Sequence, residues 1–286
     1  MNLHRLLRER LDQGRPVKAG VIGAGKFGSM FLSQVPTTPG LEVSAIADLD
    51  PERARRACRS VHWSEAEMAA IANACGLAVP ADGLGFPPCG VDDLAHVLRP
   101  QALGGRLSES GVVEVVSSLE RDGRPVYRDL RWGVYVVFRA PNDYAAACFR
   151  QYGLPTDDSG EYAAMYKPYH LIGLELGVSV LSAALRGEPT GQTRRWAGDV
   201  VAIAKRPLNR GEILDGEGGY TVWGQLIPAA RSASAAALPI GLAHGLRLVR
   251  DVPAGQMLTS NDVARSDDPA AMIRQAMCER FAAPRD

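Results

Sequence analysis

Gly23, Gly25 and Gly28 stand in the string Gly23-Ala24-Gly25-Lys26-Phe27-Gly28, behind an apolar run and ahead of a stretch with helical spacing. At such a place Gly23 allows a tight turn, and Gly25 lets the backbone approach a diphosphate with no side chain in the way. Gly28 permits close packing of the next helix on the strand. Lys26 and Phe27 complete the turn, and the helix that follows offers unbonded amides and a partial positive charge to phosphate oxygens. Asp48 closes the next apolar run about 20 residues beyond Gly28, where a carboxylate could accept both hydroxyls of a ribose. The set points to NAD or NADP. Asp48 disfavours a 2′-phosphate, whereas Arg53, Arg55 and Arg56 offer to bind one, so the choice between the two stays open. A glycine-rich turn in an unrelated α/β protein is the competing reading, and the joint register of strand, helix and acid weighs against it.

Lys167 and His170 lie three residues apart, and Glu175 follows behind Pro168. A lysine or histidine can protonate a carbonyl oxygen as hydride arrives, and a carboxylate can orient it. The same letters also describe an ordinary helix entry in which Tyr166 and Tyr169 pack and His170 bonds a backbone carbonyl. Asp157, Asp158 and Glu161 surround Ser159-Gly160 and could hold a divalent ion through oxygen, although a turn with a cap explains them as well. Cys89, beside Pro87-Pro88, has no activating histidine in view and reads as a buried structural thiol.

The elements that must position these groups are legible in outline. Leu3, Leu6, Leu7 and Leu11 recur at helical spacing and Gly14 is a plausible stop. Residues 17–22 and 41–47 read as strands, with helices expected over 27–35 and 51–59. That order, β–α–β–α, begins a parallel sheet. The pattern then breaks: residues 65–74 suit a helix, 80–88 a Pro/Gly-rich loop, and no third parallel strand follows. Residues 112–119 and 126–138 are β-rich around an Asp122-Gly123 turn signal. Helices are expected near 143–151 and 171–185, and 187–198 reads as a linker. Near the end, Arg206, Leu208, Gly211 and Leu214 recur as Arg250, Val252, Gly255 and Leu258, each displaced by 44 positions (250 minus 206). Two copies are too few for a solenoid, so a small pseudo-symmetric β unit is expected.

Composition bounds the function classes. The chain has 286 residues, 46% hydrophobic and 22% charged, which is that of an ordinary globular protein. Its formal net charge of zero gives no support to nucleic acid or an anionic membrane as partner. The five cysteines form no CxxC pair, which fits reduced thiols better than disulfides or zinc. The first 15 residues carry no apolar core for a signal peptide. A cytoplasmic protein acting on a small molecule is the expectation.

Longer strings carry a family resemblance. Residues 1–10, 20–30 and Ala47-Asp-Leu-Asp-Pro51 resemble the start of homoserine-dehydrogenase-like proteins. Residues 86–94, 113–138 and 167–175 look like the middle region of that family, and 199–263 is similar to its C-terminal SAF domain, a small β-rich module. The family includes reductoisomerase-like enzymes that use NADPH. The resemblance implies an NAD(P)-dependent oxidoreductase acting on a small polar carbonyl or hydroxyl compound, sugar-phosphate or homoserine-like. It implies an α/β fold: a partial Rossmann-like unit over 1–64, an α+β middle domain over 65–196 and an SAF-like β domain over 197–286. One departure stands out. Between about residues 60 and 66 the chain passes from the second strand almost directly to sequence from beyond the family's catalytic segment, as an internal deletion would leave it. A two-stranded remnant is marginal alone and must pack on the middle domain or on a second copy, which leaves a homo-oligomer open. The alternative function is a ligand-binding or assembly protein that no longer catalyses.

Overall fold

The computed structural model describes residues 3–22, 31, 34–47, 64–130, 133–169, 175–265 and 268–282. Two compact units divide the chain: residues 1–61 with 170–192, and residues 62–169 with 193–286. Secondary structure is mixed α and β, in three two-stranded sheets among the described residues. No helix among them is long and apolar enough to cross a membrane.

In the first unit, helix α1 (Leu3–Asp12) packs beside strand β1 (Val17–Ile22), which pairs in parallel with β2 (Leu41–Ala47). The apolar spacing of α1 aims Leu7 into a core with Val17, Phe31, Leu41 and Leu181. Gly14 supplies the left-handed turn (φ +67) that ends the helix, a conformation costly for residues with a Cβ. Leu181 belongs to a later helix, Leu176–Arg186, whose packing on α1 and β1 places a distant segment in this unit. A linear reading along the chain does not reveal that placement. The expected helices over 27–35 and 51–59 lie wholly or mostly outside the described residues.

The second unit starts with α2 (Ser64–Cys75), packed on two antiparallel strands, β5 (Gly198–Ala204) and β6 (Val222–Pro228). Asn73 fastens it: its side-chain carbonyl accepts from the amides of Ala197 (2.6 Å) and Gly198 (3.0 Å), and its amide donates to the Gly198 carbonyl (3.2 Å). Ala72, Val79, Val113 and Leu226 close the core between them.

Between these elements lie α3 (Leu94–Val97), β3 (Val134–Arg139), α4 (Asp143–Gln151) and β4 (Tyr162–Lys167). Strands β3 and β4 are antiparallel, and Tyr135, Val137, Tyr162, Ala164 and Tyr166 face Leu94, Leu98 and Leu130. On the opposite face Phe138 meets Phe149 of α4 edge-on at 5.2 Å. The expected β-rich runs form less strand than their composition suggests. Residues 112–129 make isolated bridges, Ala78 to Val112, Pro88 to Ser117 and Leu119 to Pro125. Part of the partner run is Pro80, Pro87 and Pro88, which lack the N–H that a continuous ladder needs. The Asp122-Gly123 turn is present, with Gly123 at φ +85 and the Glu120 amide donating to the Arg124 carbonyl.

The C-terminal repeat is a pseudo-twofold. Leu208 and Val252, equivalent positions in the two copies, exchange both backbone hydrogen bonds at 2.8 and 2.9 Å. Around that pair several bonds have counterparts: Ala204 amide to Gln256 carbonyl matches Leu248 amide to Glu212 carbonyl. Likewise Leu258 amide to Ala202 carbonyl matches Leu214 amide to Leu246 carbonyl. Leu214 and Leu258 are both fully buried in the core this creates. The latch beside each copy even exchanges its residues. Asp215 accepts from the Thr221 hydroxyl in the first, while Asp262 accepts from the Thr259 hydroxyl in the second. Helix Pro269–Ala282 follows the repeat and is clamped by Arg274, which bonds Asp199 (2.6 Å) and lies over the Trp196 ring.

Candidate active site

Strands β1 and β2 are parallel, and their last residues, Ile22 and Ala47, are register partners. The chain therefore leaves two neighbouring strands at the same carboxyl edge, with Gly23 next in one and Asp48 next in the other. Ligands of open α/β sheets bind at such an edge. Gly23, Gly25, Lys26, Phe27, Gly28 and Asp48 themselves lie outside the described residues, as does His170.

Lys167 ends β4, opposite Val134, so it is a strand residue rather than part of a helix entry. Its ammonium lies 5.1 Å from the centroid of the Tyr169 ring, within cation–π range. Glu175 is exposed at the N-terminal end of helix Leu176–Arg186, in the other compact unit from Lys167.

The acidic turn is satisfied from within the protein. Asp157 is buried, bonds Arg99 at 2.6 Å and accepts from the Ser159 hydroxyl and the Tyr162 amide. Burial would raise its carboxyl pKa, but the Tyr162 amide, the Ser159 hydroxyl and Arg99 outweigh that and hold it below the usual range. Glu161 pairs with Arg139 at 2.8 Å, and Asp158 faces His96 at 3.3 Å. With its oxygens turned to these donors the turn does not fit a divalent ion, and no group of three or more metal-ligating side chains occurs among the described residues.

A second pair of carboxylates has the opposite character. Glu65, in the first turn of α2, accepts from the Leu226 amide on the outer edge of β6 at 2.8 Å. Glu114 accepts from the Gly85 amide with both oxygens (2.9 and 3.0 Å), and from the amides of Phe86 (3.3 Å) and Val115 (2.9 Å). Neither forms an ion pair among the described residues. Burial raises the pKa of both, against the pull of those amides, and the nearby charge of Glu114 raises Glu65 further. Beneath them the Tyr135 hydroxyl donates to the Glu114 carbonyl at 2.7 Å. Cys89, whose thiol donates to the Gly90 carbonyl, is pushed up by burial and by Asp93 to about 12, too high for a nucleophile at neutral pH. Sequence reasoning missed the Glu65–Glu114 pair. Its one signal was an acid set among four valines, Val112-Val113-Glu114-Val115-Val116.

Residues 62–176 match the family model described as "Oxidoreductase DRL, catalytic domain". This stretch is similar to an oxidoreductase catalytic domain. The match supports an oxidoreductase family for this stretch, which contains Glu65, Glu114, Tyr135, Lys167 and Glu175. No curated protein matches the chain.

Proposed function

We propose that the protein is an NAD(P)-dependent oxidoreductase acting on a small polar carbonyl or hydroxyl compound, sugar-phosphate or homoserine-like. The observation that supports this reading is the parallel register of β1 and β2, whose last residues Ile22 and Ala47 are partners and precede Gly23 and Asp48 in the sequence. A diphosphate would rest on the turn at Gly23, Gly25 and Gly28, beside Lys26 and Phe27, and Asp48 would take the ribose hydroxyls. When bound, the nicotinamide supplies or takes up hydride. The chain's own share is to hold the substrate and to move a proton, for which Lys167 is the described candidate: its ammonium can donate to a carbonyl oxygen. His170 and Glu175 stay candidates from the sequence alone, as a further proton carrier and an orienting carboxylate. The pseudo-twofold of the C-terminal unit supports its reading as an SAF-like module, and a second copy of the chain remains a candidate partner for the two-stranded N-terminal sheet.

The experiment is a titration of the folded protein with NADPH and NADH, followed by nucleotide fluorescence and by melting temperature. Saturable binding of either, abolished in Gly25→Val, is the expected outcome. A folded sample that binds neither nucleotide overturns the reading. Stabilisation by sugar acids without nucleotide would then favour the ligand-binding alternative.

A further inference from the structure

We propose that strand β3 pairs with its own copy on a second chain, antiparallel about a twofold axis at Val136, to give a four-stranded sheet in the order β4-β3-β3-β4. The inference concerns an edge of the second compact unit and depends neither on the nucleotide reading nor on the N-terminal sheet.

Three observations carry it. First, one edge of β3 is open. The Ala140 amide donates to the Glu161 carbonyl (2.7 Å), one step beyond the register pair Arg139–Tyr162. Bonded and unbonded pairs alternate in an antiparallel ladder, so Val134, Val136 and Phe138 turn their backbone groups toward β4. Tyr135, Val137 and Arg139 turn theirs away, and no described residue bonds or bridges to those groups. The other strands of the unit differ. The far edge of β4 is occupied at Ala164 by the Pro155 carbonyl and at Tyr162 by the Asp157 amide. Strand β5 bonds Leu238 and Leu258 through Ala202, and β6 gives its Leu226 amide to Glu65.

Second, β3 carries none of the features that keep an edge solitary. Residues 134–138 are Val-Tyr-Val-Val-Phe, without a proline or any charge. Val134 is 42% exposed, Val136 51%, and Met165, the register partner of Val136 on β4, 58%. Third, the strand is complementary to itself. With Val136 opposite the partner's Val136, Val134 falls opposite the partner's Phe138. Tyr135 and Val137 then exchange backbone hydrogen bonds with the partner's Val137 and Tyr135. The exposed row Met165–Val136 runs on into the same row of the second copy. Arg139, already paired with Glu161 at 2.8 Å, falls opposite the partner's Gly133, which has no side chain to meet it. No like charges are opposed along the strand, and one surface serves both chains, as an isologous contact requires. Open backbone groups alone would accept any extended strand; this matching of side chains selects a second copy.

The experiment uses the full chain and Val136→Cys, which stands on the twofold. Its two copies lie about 4.5 Å apart at Cα in the proposed sheet, the spacing of an unbonded antiparallel pair and within disulfide reach. Under mild oxidation Val136→Cys should give a covalent dimer. Met165→Cys is the control: position 165 is more exposed, but three strand spacings, roughly 14 Å, separate it from its counterpart. It should give no crosslink above the wild-type background from the native cysteines. Val136→Lys opposes two like charges at a position the single chain leaves at the surface, so folding should survive. The dimer dissociation constant, measured by sedimentation, should rise about tenfold or more. A wild-type chain that sediments as a monomer even at high micromolar concentration overturns the proposal and leaves the edge to a strand of another protein. A dimer that neither weakens in Val136→Lys nor crosslinks through Val136→Cys also overturns it, because assembly then lies elsewhere. Equal crosslinking of Val136→Cys and Met165→Cys does the same.

Discussion

Asp157 and Asp262 are as buried as any charged groups described, yet both are held below the usual carboxylate range, while the less buried Glu65 and Glu114 are pushed above it. The difference is the company each keeps. Burial opposes ionisation in all four. Asp262 has Arg250 together with the Thr259 amide and hydroxyl, and Asp157 has Arg99 together with Ser159 and Tyr162. The two glutamates have backbone amides only. Amide donors alone do not offset burial here, whereas amide donors joined by a hydroxyl do, with a guanidinium at Asp157 and Asp262 and without one at Asp215. The first kind of acid locks a loop or latch, and the second leaves a part of the molecule whose charge state is open to change.

Removing a member of the locked kind should have the largest effect. Asp157→Ala leaves Arg99 only 19% exposed, with a buried Nε that already has no partner. A loss of about 3 kcal/mol is expected in chemical denaturation, and an unchanged midpoint would mean that the pair does not lock the turn.

The pH dependence separates the two kinds by sign. Asp157, Asp215 and Asp262 have lowered pKa values in the folded state, so the unfolded chain binds their protons first as pH falls. Their contribution is present above pH 4 and disappears as pH falls through the lowered values. Asp262→Asn should flatten the acid limb of a pH–stability curve measured by urea unfolding, and an unaltered limb would remove Asp262 from the account. The glutamates act oppositely: their raised values make the folded state less favourable as pH rises through them. Glu114→Gln should consequently be neutral or slightly stabilising at pH 7.5, on the order of 0.5 kcal/mol given its partial exposure. A clear destabilisation there would show that the ionised form is preferred and would erase the contrast.

Much of the local structure was legible. The leucine spacing of α1, the apolar runs of β1 and β2, the helix at 143–151 and the Asp122-Gly123 turn all depend on residues close in sequence, and the structure contains each. The 44-residue echo was readable because a pseudo-twofold needs like residues at like places. Strand β4 was not. Tyr162–Lys167 contains two alanines and a methionine, so its identity as a strand rests on pairing with β3 rather than on composition. Helix Pro269–Ala282 was missed too, in a region whose repeat suggested only β structure.

At the candidate site, the glycines, Asp48 and Lys167 were chosen from their letters and spacing, and the pairing of β1 with β2 came from their hydrophobic runs. The chain order by itself determined where a turn without side chains follows a strand, because backbone freedom is a property of single residues. Which carboxylates meet a cation was decided only in three dimensions. Arg99 reaches Asp157 across 58 positions, and Glu65 meets the Leu226 amide across 161. Charges interact through space and the medium between them, so only packing sets which acid is locked and which is left with its charge exposed to change.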